Sequence, residues 1–260
     1  MSASNENIRC NDLLIELGTE ELPPKALKKL MLAFSGGIQA GLEHHSLTFD
    51  AITPYATPRR LAVKVTGLVE QQQDKSVERK GPAIKAARDA EGNPSKAAEG
   101  FARSCGVSFD ELETLETKKG AWLIYRSIQA GKQTAELVPS IIEQSLNKLP
   151  IPKRMTWGAH KDAFVRPVHW LVVLFGNSIV DCTVLGKTAS NQSRGHRFHS
   201  PDNFTIESAE SYEQQLSERY VIADYNLRQK QIKEGVEAIA KTSSGSASID
   251  ADLLDEVTGL

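Results

Sequence analysis

Phe164-Val165-Arg166-Pro167-Val168-His169-Trp170-Leu171-Val172-Val173-Leu174-Phe175-Gly176 contains the longest apolar run of the chain. A continuous run of this kind, bounded by proline and glycine, predicts a strand buried on both faces. Cations, histidines and aromatics crowd its two sides. Lys153-Arg154-Met155-Thr156-Trp157-Gly158 precedes it, and Arg194-Gly195-His196-Arg197-Phe198-His199 follows it. Cations and rings outside a buried strand suit an anionic, ring-bearing partner, which is how nucleic acid is gripped.

Outward from that strand, the hydrophobic pattern predicts an α+β fold. A mainly antiparallel sheet is expected between residues 12 and 199, flanked by helices over 23–44 and 134–149. A short apolar run at 12–17 reads as the first strand. Pro23-Pro24 opens a helix, with the acidic pair Glu20-Glu21 before it favouring that end of the helix dipole. Leu27, Leu30, Met31, Phe34, Ile38 and Leu42 follow at helical spacing, and Gly36-Gly37 permits a close approach or a kink. Leu61, Val63 and Val65 alternate with Ala62, Lys64 and Thr66, giving a strand with one dry and one wet face.

Residues 71–92 are polar and read as a loop with a short helix after Pro82. Asn93-Pro94 is expected to start the next helix, Gly106 to stop it, and Ser108 with Glu111 fits a capping box. Lys118-Lys119-Gly120 reads as a hairpin turn before a strand over 121–128. Thr134 is expected to cap the helix that Pro150 and Pro152 end. Val180, Cys182 and Val184 alternate with polar neighbours, a half-buried strand after a tight turn at 176–178. Helices are predicted at 208–220, 224–241 and 250–258. The expected division is an N-terminal α+β domain over 1–205 and a helical segment over 206–260 that begins a further region of something longer.

The totals narrow the class. The chain has 260 residues, 40% of them hydrophobic and 25% charged, as folded domains have. A formal net charge of −2 means that nucleic-acid binding must rest on a local patch. Three cysteines, Cys10, Cys105 and Cys182, are far apart, without metal-ligand spacing or a disulfide framework. Residues 1–11 lack a signal-peptide apolar core, and no run approaches the ~20 residues that span a bilayer. A cytoplasmic protein is expected, with neither a membrane nor DNA as partner.

His196 and His199 could share a metal, but Arg194 and Arg197 would repel a cation and no third ligand stands near, so no metal site is expected. The cationic points are Arg59, Arg60, Lys80, Lys153, Arg154, Arg166, Arg194 and Arg197. Each alone reads as a solvated charge; Trp157, Phe164, Trp170 and Phe198 strengthen the central stretch, although Trp170 itself reads as core. No nucleotide-binding loop, zinc-protease helix or nucleophile elbow is present, so no catalytic residue is assigned.

The order of motifs resembles one family, the β subunit of bacterial heterotetrameric (α2β2) glycyl-tRNA synthetase. The matching blocks are Leu14-Ile15-Glu16-Leu17-Gly18-Thr19-Glu20-Glu21-Leu22-Pro23-Pro24, Thr57-Pro58-Arg59-Arg60-Leu61-Ala62, Lys80-Gly81-Pro82 and Lys96-Ala97-Ala98-Glu99-Gly100-Phe101-Ala102-Arg103. Lys153-Arg154-Met155 with Trp157-Gly158, the Phe164 to Leu171 block and Arg194-Gly195-His196-Arg197-Phe198-His199 complete the set. The resemblance implies the N-terminal portion of a longer subunit that binds the tRNA for glycine. The α subunit would activate glycine with ATP and Mg, and this portion would need no cofactor. Arg59, Arg60, Lys80, Lys153, Arg154, Arg166, Arg194, His196, Arg197 and His199 are then candidates for contact with tRNA or with the α subunit. The competing expectation is an assembly module, in which the same arginines pair with internal carboxylates.

Overall fold

The structure, a computed structural model, describes residues 9–89, 92–118, 120–158 and 161–260. In chain order the elements begin with β1 (Cys10–Thr19), α1 (Pro24–His44), β2 (Ala51–Thr57) and β3 (Arg60–Val69). Then come β4 (Lys75–Ala83), α2 (Lys96–Cys105), β5 (Glu113–Thr117), β6 (Gly120–Gln129) and α3 (Thr134–Asn147). Short strands β7 (Met155–Thr156) and β8 (Ala163–Phe164) lead to β9 (Val168–Phe175) and β10 (Ser178–Ile179). The chain ends with β11 (Thr183–Val184), β12 (Lys187–Thr188), β13 (Gln192–Arg194), β14 (Asn203–Thr205), α4 (Tyr212–Ser217), α5 (Tyr225–Thr242) and α6 (Ala251–Thr258). The fold is α+β, as expected.

The chain forms two compact units, one of residues 1–72 with 132–260, the other of Gln73–Gly131. The contacts thus divide the chain elsewhere than at the expected boundary near residue 205. The reason is that Phe204, Ile206, Ala209, Tyr212, Leu216 and Ala223 bury themselves against the same sheet as the N-terminal strands.

In the larger unit, the sheet runs β10-β9-β1-β3-β2, and its pairings are antiparallel. β1 and β9 are buried on both faces, as the apolar run of β9 predicts. Leu13, Ile15, Leu17, Val63, Val65, Leu171 and Val173 face one layer, which α1 and α3 cover with Phe34, Ile38, Ile141 and Ile142. Leu14, Tyr55, Ala62, Trp170, Val172 and Leu174 face the second layer, built from residues 204–223. Ala62, expected on a wet face, is therefore buried. Alternation in a strand records local polarity and cannot reveal a layer that returns so much later in the chain.

The two helices cross where α1 is thin. A Cβ on Gly37 would lie 2.3 Å from Ser145 Oγ, whose hydroxyl donates to the Phe34 carbonyl at 2.9 Å. Pro23 and Pro24 open α1 as expected, but Glu20 and Glu21 lie before its first turn and serve elsewhere. Gln133, not Thr134, occupies the cap position of α3; the Thr134 hydroxyl donates instead to the Val69 carbonyl. The burial of Val180, Cys182 and Val184 alternates as expected, although they form no single strand. Val180 N donates to the Val173 carbonyl of β9, the Cys182 carbonyl accepts from Ala189 N, and Val184 pairs with Lys187 in the separate β11-β12 ladder. The expected helix at 208–220 is confined to α4, while α5 and α6 follow their expected spans closely.

The smaller unit is a sheet of order β4-β6-β5 with α2. Part of the expected loop at 71–92 is the edge strand β4. Its alternation is hidden because both faces carry charge; Arg126 of β6 binds Glu78 of β4 at 3.1 Å and Glu113 of β5 at 2.6 Å. Only a single 3-10 turn over Ile84–Ala86 follows Pro82. Ser95 rather than Asn93 caps α2, Gly106 ends it in the left-handed region, and the Ser108–Glu111 capping box forms. β5 and β6 meet at the expected hairpin, of which Lys119 lies outside the described residues.

The larger unit closes a neck where this excursion leaves and returns. Gln72 N donates to the Lys132 carbonyl at 2.9 Å, and Gln71 and Gln133 form an antiparallel bridge.

Candidate functional site

Glu16 lies at the centre of β1 on the second face of the sheet and is wholly buried. One oxygen accepts from Trp170 Nε1 and Ser193 Oγ, both at 2.5 Å; the other accepts from the Tyr212 hydroxyl at 2.6 Å. Arg60 Nη1 stands 3.7 Å from the second oxygen. A buried charge is tolerable only when paired and hydrogen-bonded, and this one is both. Burial, and next the Glu16 charge, push the Tyr212 phenol far above its usual value, so it remains a donor.

The register explains why these groups meet. Gly18 pairs with Arg60 on β3 and with Trp170 on β9. With no side chain at 18, the indole occupies that space and reaches back to Glu16. The Arg60 and Arg194 guanidinium carbons lie 5.9 and 5.4 Å from its ring centre. Arg60 Nη2 also donates to the Arg194 carbonyl at 2.6 Å, fixing the start of the histidine-rich loop.

Beside this network opens a recess of about 480 Å³. Arg59, Arg60, Arg197 and Arg228 line it, with Phe198, Tyr220 and the apolar side chains of Val221, Ile232 and Val257. Arg59 pairs with Glu20 at 3.6 Å, and Glu20 meets His169 Nε2 at 2.9 Å. Burial raises the Glu20 pKa, but the charge of Arg59 and the hydrogen bond with His169 outweigh it and hold it below its ordinary value. Arg197 pairs with Glu21 at 2.7 Å, and Arg166 Nε donates to the Glu21 carbonyl. Arg228 donates to the carbonyls of Ala56, Ile222 and Thr258, and burial lowers its pKa to about 10. Glu20 and Glu21 thus organise cations at the recess rather than the start of α1.

The loop carrying Arg197 is pinned. A Cβ on Gly195 would lie 2.8 Å from the Ser200 carbonyl and 2.9 Å from Arg219 Cβ, so only glycine fits without a shift. His196 Nδ1 accepts from the backbone N–H groups of Phe198 and His199, both at 3.2 Å. Its ring lies 4.5 Å from that of His199, which lies 5.4 Å from Tyr220. Tyr220 holds a left-handed backbone, φ 60°, a conformation that costs a side-chain-bearing residue roughly 1–2 kcal/mol.

Of the candidates from sequence, Arg59, Arg60, His196 and Arg197 line one recess, and Arg166, Arg194 and His199 touch its framework. The others do not join them. Arg154 donates to the carbonyls of Leu146 and Asn147 at the end of α3. Lys153, exposed, follows that helix, and Lys80 of the smaller unit stacks over Trp122 at 3.8 Å. Among the aromatics, Phe164 and Trp170 are buried and Trp157 packs against the core, whereas Phe198 is 80% exposed. Arg228 and Tyr220 were not among the candidates: Arg228 falls within the helix expected at 224–241, and Tyr220 at the end of the one expected at 208–220. Among the described residues no cluster of histidine, cysteine and carboxylates could hold a metal, and no helix is long and apolar enough to cross a membrane.

An antiparallel sheet covered on both faces, with a guanidinium-lined and ring-edged recess beside its central strands, defines an α+β unit with a candidate binding recess. Residues 13–260 match the family model described as glycyl-tRNA synthetase beta subunit, and the chain belongs to that family. It is 54% identical over 251 residues to the glycine–tRNA ligase beta subunit of Marinobacter nauticus, aligned over 96% of this chain and 36% of the relative. The corresponding protein of Hahella chejuensis is 54% identical over 250 residues, again 96% of this chain and 36% of the relative. That of Pseudoalteromonas translucida is 50% identical over all 260 residues, 37% of its own length. The chain spans just over a third of the length of these curated relatives.

Proposed function

We propose that this chain serves, in the cytoplasm, as the N-terminal part of a β subunit that holds the tRNA for glycine. In this reading an α subunit activates glycine with ATP and Mg and transfers it to the tRNA held here. The observation that carries the reading is the recess with Arg197 at its rim. Its ion pair with Glu21 is half exposed on both sides, 52% and 54%. Exposed pairs contribute only about 0–1 kcal/mol, so a phosphate can displace Glu21 at little cost. Guanidinium also suits phosphate by presenting two parallel donors.

The test is a titration with tRNA at several salt concentrations. Backbone contacts give an affinity that falls steeply with salt. Arg197→Ala is expected to weaken binding and flatten the salt slope by about 1. Arg166→Ala is expected to do less, since its Nε is already bound to a backbone carbonyl. Unchanged affinity for both variants removes them from an RNA surface.

One observation favours the second reading, an assembly module. Arg59, Arg60 and Arg228 are already held by Glu20, Glu16 and three carbonyls. In that case capture of the α subunit, rather than tRNA, is lost on substitution at the recess. A pull-down beside a tRNA shift assay distinguishes the two.

A further inference from the structure

We propose that the recess seats a single unpaired nucleotide, its base against Phe198 and Tyr220 and its phosphate at Arg197. The inference rests on the tRNA-holding reading and names the kind of nucleotide that the site accepts.

Three observations converge on it. The first is size: about 480 Å³ falls within the span of sites that enclose one small molecule and offers no broad face to a helix. Paired RNA is met mostly by shape, through contacts along its grooves, whereas splayed bases are stacked on rings and guanidinium planes. The second is the rings. Phe198 and Tyr220 are 80% and 67% exposed, and both line the recess. The sheet and its two layers make no use of either surface. Tyr220 nonetheless keeps a costly left-handed backbone, and the His196–His199–Tyr220 stack props the rim. The third is charge. Four guanidinium groups line the recess, and Arg228 is held by carbonyls alone. Arg59 Nε and Arg60 Nε are buried without a hydrogen bond. Against these four groups stand three carboxylates, Glu16, Glu20 and Glu21, the last of which also lines the recess, so one positive charge is left over an apolar floor; it favours an occupant with an anionic group and a flat ring.

The experiment uses the whole chain and a short fluorescein-labelled single-stranded RNA, alone and annealed to its complement. The single strand is expected to bind more tightly than the duplex. Phe198→Ala is expected to weaken single-strand binding roughly five-fold or more, the loss of one base–aromatic stack, with little effect on the duplex. Phe198→Trp should restore it and Phe198→Leu should not, since leucine lacks a π face. Residue 198 is so exposed that these variants leave the fold intact, and Tyr220→Ala gives an independent second reading. Equal affinity for single strand and duplex, or no effect of either ring, overturns the proposal. Loss of α-subunit capture in Phe198→Ala, with RNA affinity unchanged, overturns it in favour of a protein partner. A chain that binds tRNA through Arg197 but ignores strandedness loses only this inference. A chain that binds no RNA loses the tRNA-holding reading as well.

Discussion

The indole of Trp170 occupies the space that a side chain at Gly18 would need: a Cβ there would lie 1.9 Å from two ring atoms. The neighbour is a large buried ring, not a flexible tip, so it cannot yield cheaply. Gly18→Ala is expected to destabilise the larger unit by about 3 kcal/mol, the upper part of the usual overpacking range. Urea unfolding of the two proteins checks this. An unchanged midpoint would mean that the ring can leave Glu16 without cost.

Gly36 and Gly37 should respond in opposite directions. Nothing stands within 4 Å of a Cβ at 36, whereas one at 37 meets Ser145 Oγ at 2.3 Å. Gly36→Ala should gain about 1 kcal/mol from helix propensity alone. Gly37→Ala should lose about 1–3 kcal/mol by forcing α1 from α3. Thermal melts of both variants, side by side, give the two signs.

Glu16→Leu removes the acceptor for three donors and leaves Arg60 buried without its counter-charge. Breaking one partner of a buried pair typically costs about 3–5 kcal/mol. The variant is expected to melt far below the parent. Glu16→Leu combined with Arg60→Met should recover part of the loss, a coupling that a double-mutant cycle measures.

Asp255 gives an acid-side signature. Burial raises its pKa, but hydrogen bonds from Lys28, Gln229 and Tyr225, with the charge of Lys28, outweigh that and leave it below its ordinary value. A carboxyl depressed on folding adds stability above its unfolded value and loses it as pH falls through the folded one. The stability of the parent should therefore drop below about pH 4, and Asp255→Asn should drop less steeply there. Chemical unfolding at acidic and neutral pH reads the difference. The Lys28–Asp255 pair ties α6 to α1, so α6 should fray first.

Local pattern carried the elements whose partners are near in sequence. The apolar face of α1, the buried run of β9 and the capping box at Ser108 were readable because each depends on spacing over a few residues. The apposition of Glu16 to Ser193 and Tyr212 was not, because it arises only when the chain returns after some 180 residues to lay a second layer on the sheet. For the same reason Ala62 looked wet and nothing singled out Arg228 within its helix. β4 escaped because charges on both faces erase the period of two. At the recess, sequence located Arg59, Arg60, His196 and Arg197 by type. It could not separate Arg154 and Lys80 from them, since a cation that caps a helix or covers a tryptophan is indistinguishable from a free one until its neighbours are placed. Trp157 and Phe164 misled in the same way: rings near cations in the chain are not rings beside them in space.

The neck between Gln72 and Lys132 has an architectural consequence. A detour of 59 residues that departs and rejoins across a neck of two backbone hydrogen bonds, Gln72 to Lys132 and Thr134 to Glu70, is a cassette inserted between β3 and α3. Replacing it with a tight turn would let β3 run on into α3 without stretching either, whereas the excised piece, with only Ala87, Ala98 and Leu123 in its buried cluster, has little core of its own.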